Sequence, residues 1–122
     1  MAKRILYKNN CIPQEQVSSG GKYYPDSDCG KNLAGSHLLE LGSDTITTNT
    51  ITSSADLGSD SGFDFIAVKV TSGDDVTLSL DNGTTQIITI SEGECFSSKI
   101  ASGAQPYVTI SGTSTVEYIT GT

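Results

Sequence analysis

Between residues 63 and 90, FDFIAVKVTSGDDVTLSLDNGTTQIITI, bulky apolar side chains recur at every second position. Ile66, Val68 and Val70 form one such series, and Val76, Leu78 and Leu80 form another with Thr77, Ser79 and Asp81 between them. Because successive strand side chains point to opposite faces, each series predicts a strand with one dry side, and Thr77, Ser79 and Asp81 are expected to face water. Ser72-Gly73-Asp74-Asp75 and Asp81-Asn82-Gly83 separate these strands as turns, and Asn-Gly supplies the positive φ angles of a tight hairpin. The strands are therefore expected to be antiparallel neighbours. Ile88 and Ile90 continue the pattern inward in a third strand over residues 86–90, leaving Ile87 on the other side.

Three more strands follow. Residues 95–100 place Phe96 and Ile100 on one side, residues 107–110 place Val108 and Ile110 inward, and residues 115–120 do the same with Val116 and Tyr118. Short strands at this spacing, separated by turns that contain glycine, predict an all-β fold, an antiparallel β-sandwich or small barrel. Phe63, Phe65 and Ala67 lie on the face opposite Ile66, Val68 and Val70, so that strand is apolar on both sides. Its second face needs cover, from the first half of the chain by preference or else from a second copy.

The first half reads differently. Residues 1–7 fit a strand or an extended arm. Residues 9–36 are interrupted by Pro13, Gly20-Gly21, Pro25, Gly30 and Gly35, which predicts a long irregular N-terminal arm anchored by Tyr23 and Tyr24. Residues 36–41 fit a helical turn or a short strand equally well. Residues 44–54, DTITTNTITSS, have the β-branched content of an exposed edge strand, and residues 55–62 are a polar connector. The expected organisation is an arm with an edge strand over residues 1–62 and a sandwich body over residues 63–122, within one domain.

Composition narrows the function. Seven basic and fourteen acidic residues give a net charge of -7, which opposes binding to nucleic acid. Lys3, Arg4 and Lys8 crowd the start of the chain, whereas from residue 62 onward Lys69 and Lys99 face seven carboxylates. No stretch reaches the roughly 18–20 apolar residues of a membrane span, and residues 1–7 lack the apolar segment of a signal peptide, so cytoplasmic synthesis without a membrane partner is expected. Cys11, Cys29 and Cys95 lack metal-ligand spacing and are expected to be free, partly buried thiols.

Groups that could carry catalysis are few. His37 is the only histidine, beside Leu38 and Leu39, and no G-x-S-x-G motif accompanies it. Asp74-Asp75 and the pair Glu92 and Glu94 fall in predicted turns, where acidic side chains are common. Asp26-Ser27-Asp28-Cys29-Gly30 resembles a calcium loop but lacks its closing glutamate, and an Asx turn explains it better. Asn82-Gly83-Thr84 is a glycosylation sequon without a secretion signal. Tyr23, Tyr24 and Tyr107 could stack on sugars. No enzyme activity, metal or cofactor is expected.

The segments FIAVKVTSGDDVTLSLDNG, TQIITISEGECFSSKI and PYVTISGTSTVEYITGT resemble the small β-sandwich structural proteins of tailed-bacteriophage virions. The resemblance covers the second half of the chain. It implies a capsid decoration, or cement, protein, made in the host cytoplasm and located on the virion surface, that docks on the major capsid protein as several copies, often trimers. A cement protein needs a rigid body and surfaces that mate with the shell or with sister subunits. The residues expected to serve as those surfaces are Lys3, Arg4, Tyr7, Lys8, Tyr23, Tyr24, Phe63 and Phe65. A carbohydrate- or receptor-binding module is the alternative expectation.

Overall fold

The computed structural model describes residues 1–57 and 62–122. All regular structure among them is β: β1 (Arg4–Cys11), β2 (Gln14–Gln16), β3 (Tyr23–Pro25), β4 (Leu33–Glu40), β5 (Ile46–Ile51), β6 (Ala55–Asp56), β7 (Phe65–Gly73), β8 (Val76–Ser79), β9 (Ile88–Ile90), β10 (Cys95–Lys99), β11 (Tyr107–Thr109) and β12 (Ser114–Gly121). Among the described residues no helix is long and apolar enough to cross a membrane. The chain forms two compact units, Met1–Ile5 with Leu39–Thr122, and Leu6–Leu38.

The larger unit holds two four-stranded sheets, in the orders β10-β7-β12-β5 and β6-β11-β8-β9. Every strand pairing within them is antiparallel. Ile66, Val68, Val70 and Val116 from the first sheet meet Val76, Leu78, Ile90 and Val108 from the second, with Leu57 completing the buried core. Ile51, Ile88, Phe96, Ile100, Ile110 and Tyr118 pack around it. The alternation read from the sequence thus defines the dry layer of a β-sandwich. The sandwich takes in more of the chain than residues 63–122, because β5 pairs with β12 and β6 with β11.

Several expectations need correction. β7 and β8 are not neighbours: β7 lies between β10 and β12, while β8 lies between β11 and β9. The turn between them carries the chain from one sheet to the other. Ser79 does not face water but is fully buried, and its Oγ accepts the Gly83 N–H at 2.6 Å, which satisfies the hydroxyl without solvent. Within the connector expected over residues 55–62, β6 and the buried Leu57 join the sandwich, and residues 58–61 lie outside the described residues. Residues 9–36 are not an irregular arm. They contain β2, β3 and parts of β1 and β4, with β2 and β3 paired antiparallel. Residues 36–41, which fitted helix or strand, belong largely to β4.

The β8–β9 hairpin closes as its turn residues require. Asn82 and Gly83 have φ of 60° and 86°. Asp81 Oδ1 accepts the Thr85 N–H at 2.9 Å, and this bond, with the Thr85 hydroxyl, holds the Asp81 carboxyl below its ordinary value of 3.8. A carboxylate whose pKa is depressed by folding contributes stability above its unfolded pKa and loses it as pH falls through the folded value. Asp81→Ala is therefore expected to flatten the acid limb of the stability profile below about pH 4. Urea melts of both proteins between neutral pH and about pH 2 test this, and parallel profiles would show that the turn bond contributes nothing.

Candidate interaction surface

The second face of β7 is covered at one end by the chain itself. Phe65 stands opposite Gly121 of β12. A side chain at Gly121 would lie 2.8 Å from Ile5 Cδ1 and 3.2 Å from Leu41 Cδ2, so this glycine leaves the space that those two residues fill. Leu39 and Leu41 are buried, and Phe65 is only 2% exposed. The expectation that Phe65 meets a partner is overturned, because its ring belongs to the interior. Phe63 is half-buried.

The remaining expected contact residues fall into two groups. Lys3 and Arg4 belong to the sandwich unit. The Lys3 N–H donates to Asp44 Oδ1 at 2.9 Å, and Arg4 Nη1 lies 3.8 Å from Glu40 Oε1. Both side chains of that ion pair are exposed, so it adds little to stability. Tyr7, Lys8, Tyr23 and Tyr24 belong to Leu6–Leu38. The single basic patch expected at the start of the chain is thus divided between the two units.

Leu6–Leu38 has an unusual composition of surfaces. Not one of its residues is buried. Its strands are held by polar and backbone bonds: β2 pairs with β3 through Gln14, Glu15 and Gln16 opposite Pro25, Tyr24 and Tyr23. The Ser27 N–H and hydroxyl both donate to Glu15 Oε1, at 3.1 and 2.9 Å. The Asp28 N–H donates to Asp26 Oδ1 at 2.9 Å, which is the expected Asx turn. On β1 and β4, the Tyr7 and His37 rings meet edge to face with centroids 5.7 Å apart. Since Arg4 reaches Glu40 and Tyr7 reaches His37, the two strands run antiparallel.

Large apolar side chains in this unit stand in solvent. Val17 is 80% exposed, Leu33 65%, Tyr23 60% and Tyr24 52%, with Leu6, Ile12 and Leu38 also exposed. A two-stranded hairpin without a buried apolar face is at best marginally stable in water. Of these residues, Val17 and Tyr24 line one shallow depression together with Ser18, Gly21 and Lys22. Lys8, Lys22 and Lys31 balance Glu15, Asp26 and Asp28, so the whole net charge of -7 belongs to the rest of the chain. This unit can approach another protein without like-charge repulsion.

Sequence reasoning found Tyr23 and Tyr24 but missed Val17, Leu33, Leu6 and Ile12. These are single apolar residues among polar ones, with no period to draw attention to them. Glu15, Asp26 and Asp28 bring carboxylate oxygens within 4.8 Å of one another, the only such trio among the described residues, and Ser27 and Asp28 donors already engage two of them. The three cysteines are all exposed, contrary to the partial burial expected.

Three of the carboxylates weighed for catalysis accept backbone hydrogen bonds. Asp74 Oδ2 accepts the Thr113 N–H at 3.1 Å and Glu92 Oε1 the Gly73 N–H at 3.3 Å, each tying two separate segments together, while Glu94 Oε1 accepts the Ser91 N–H at 3.0 Å within its own turn. Tyr107 lies over the hairpin turn, where a Cβ on Gly83 would meet its ring at 3.3 Å, so one ring face is covered. In comparisons with protein-family models, with curated proteins and with solved structures, nothing matches the chain.

Proposed function

We propose that this is a non-enzymatic structural protein that attaches to a larger protein shell through Leu6–Leu38, with the β-sandwich as its rigid body. The observation that carries this reading is a 33-residue unit with no buried residue and exposed Val17, Tyr23, Tyr24 and Leu33. Such a unit becomes fully ordered by burying those side chains against a partner. The resemblance of the second half to virion β-sandwich proteins supports capsid decoration as the particular role, with the major capsid protein as the partner.

In the test, purified full-length protein is co-sedimented with phage capsid shells lacking it. Val17→Asp combined with Leu33→Asp is expected to weaken binding at least tenfold. Thermal stability should change by no more than about 0.5 kcal/mol, because both sites are on the surface. Undiminished binding by the double variant, or none by the unaltered protein, would refute the proposal. Exposed Tyr23 and Tyr24 favour a second reading, carbohydrate or receptor binding. Saturable glycan-array binding that is lost in Tyr24→Ala would select it.

A further inference from the structure

The free edge of the β10-β7-β12-β5 sheet points to a second interaction. We propose that β5 pairs with the β5 of another copy, antiparallel about a two-fold axis through Thr48, joining two four-stranded sheets into one continuous sheet. The proposal concerns the sandwich alone and is independent of Leu6–Leu38.

β5, Ile-Thr-Thr-Asn-Thr-Ile, is an outer strand, exposed along nearly its whole length. Native sheets usually blunt their edges with charges, prolines, bulges or very short strands. The other edges of the two sheets follow that rule, since β6 has two residues, β9 has three, and β10 ends in Lys99. β5 has none of these devices: six residues, no charge, no proline, and an unbroken register with β12.

The hydrogen bonding identifies which groups are free. Thr45 and Thr122 exchange both backbone bonds, at 3.3 and 2.9 Å. In an antiparallel ladder such exchange recurs at every second residue, so Thr47, Asn49 and Ile51 turn their backbone groups to β12, and Ile46, Thr48 and Thr50 turn theirs outward. Independently, the Thr50 N–H is taken by the Asn49 side-chain oxygen at 2.8 Å, as a group outside the ladder would be.

Two copies related by a two-fold can satisfy all three outward residues in one register. Thr48 then faces Thr48 in a doubly bonded pair, and Ile46 faces Thr50 on either side, each flanking pair gaining its second bond when Asn49 Oδ1 gives up the Thr50 N–H. Shifting the centre to Asn49 would require residue 52, beyond the strand. On one face the pairing sets β-branched Ile46 and Thr50 side by side, a favourable cross-strand combination. It also brings Ile119, 38% exposed and opposite Thr48 on β12, toward the axis.

The self-complementary register makes a second copy the occupant, and charge at this edge permits it. A chain of net charge -7 repels itself over most of its surface, but β5 is an uncharged line, and Glu117 beside it stands opposite Lys69. Six residues of edge bury far less than the roughly 1,600 Å² of a standard interface, so the dimer is weak and strengthens with salt as the residual repulsion is screened. A two-fold of this kind closes at two copies, not three.

Sedimentation of the purified full-length chain tests the proposal. The unaltered protein should show a monomer–dimer equilibrium that tightens with added salt. Thr48→Lys and Thr48→Glu each place like charges face to face and should weaken it at least tenfold, while their equimolar mixture should restore it. Unchanged melting of each variant, together with that restoration, separates lost pairing from lost folding. Three results would overturn the proposal: a monomer at about 1 mM, single variants that dimerise like the unaltered chain, or a mixture that stays monomeric. The first of these is also what an edge reserved for another protein's strand would give.

Discussion

Gly73→Ala should destabilise the protein by about 3–5 kcal/mol, a large share of the roughly 5–15 kcal/mol available to a domain of this kind. Gly73 ends β7 at a φ of +103°, a conformation that side chains rarely adopt. A Cβ there would also fall on the Thr113 carbonyl oxygen and within 2.8 Å of Ser114 Cα, both of which are backbone and cannot turn aside. The corner is tied from both sides. The Asp74 N–H donates to the Thr113 carbonyl at 3.0 Å, and the Ser114 hydroxyl donates to the Asp74 carbonyl at 2.6 Å. Moving Thr113 to make room would break these bonds at the point where the chain leaves one sheet for the other. Denaturant melts should show the loss, and a cost below about 1 kcal/mol would mean that the corner relaxes freely.

The other large effect lies in the core. Val68 is fully buried in β7, opposite Phe96 of β10 and Tyr118 of β12. Val68→Asp places a carboxylate there without a partner, at a cost of several kcal/mol that removes most of the folding free energy. Loss of the cooperative thermal transition is the expected result. Lys69→Thr, one residue further on and facing the other side, should change stability by about 0.5 kcal/mol or less. The contrast tests the face assignment itself, because a slip of one residue exchanges the two outcomes. A folded, cooperative Val68→Asp protein would show that the assignment is inverted.

Alternation made the sandwich legible in the sequence. Ile66, Val68 and Val70, or Val76 and Leu78, reveal which side of a strand is dry because burial acts on each side chain separately. They do not reveal which strand lies alongside. The turn between β7 and β8 reads like a hairpin, yet it crosses between sheets, a choice made by the distant contact of Asp74 with Thr113 and Ser114. Ser79 was misplaced for a related reason: a small hydroxyl can be buried when a nearby N–H, that of Gly83, satisfies it. The edge strand over residues 44–54 was read correctly, since its β-branched residues with little apolar mass suit one paired side.

The Leu6–Leu38 unit is harder to read. β2, Gln-Glu-Gln, has no apolar alternation at all, and prolines and glycines flank its partner. These strands are defined by pairing geometry rather than by burial, which leaves no periodic trace. Phe65 misled in the opposite sense. Its exposed-face position suggested a docking residue, but it is buried, and Ile5 and Leu41 fill the space beside it above Gly121, which has no side chain to keep them out.

β12 follows every other strand along the chain, yet it sits between β7 and β5. A ribosome therefore releases β5, β7 and β10 before the strand that joins β5 to the others exists. The nascent sandwich cannot close before β12 is made, and its apolar layer waits open until residue 121 has emerged. Closure of the two sheets is thus the last step in assembling this sandwich, and a nonsense codon ahead of β12 would leave β7 and β5 with no common neighbour and the core without Val116.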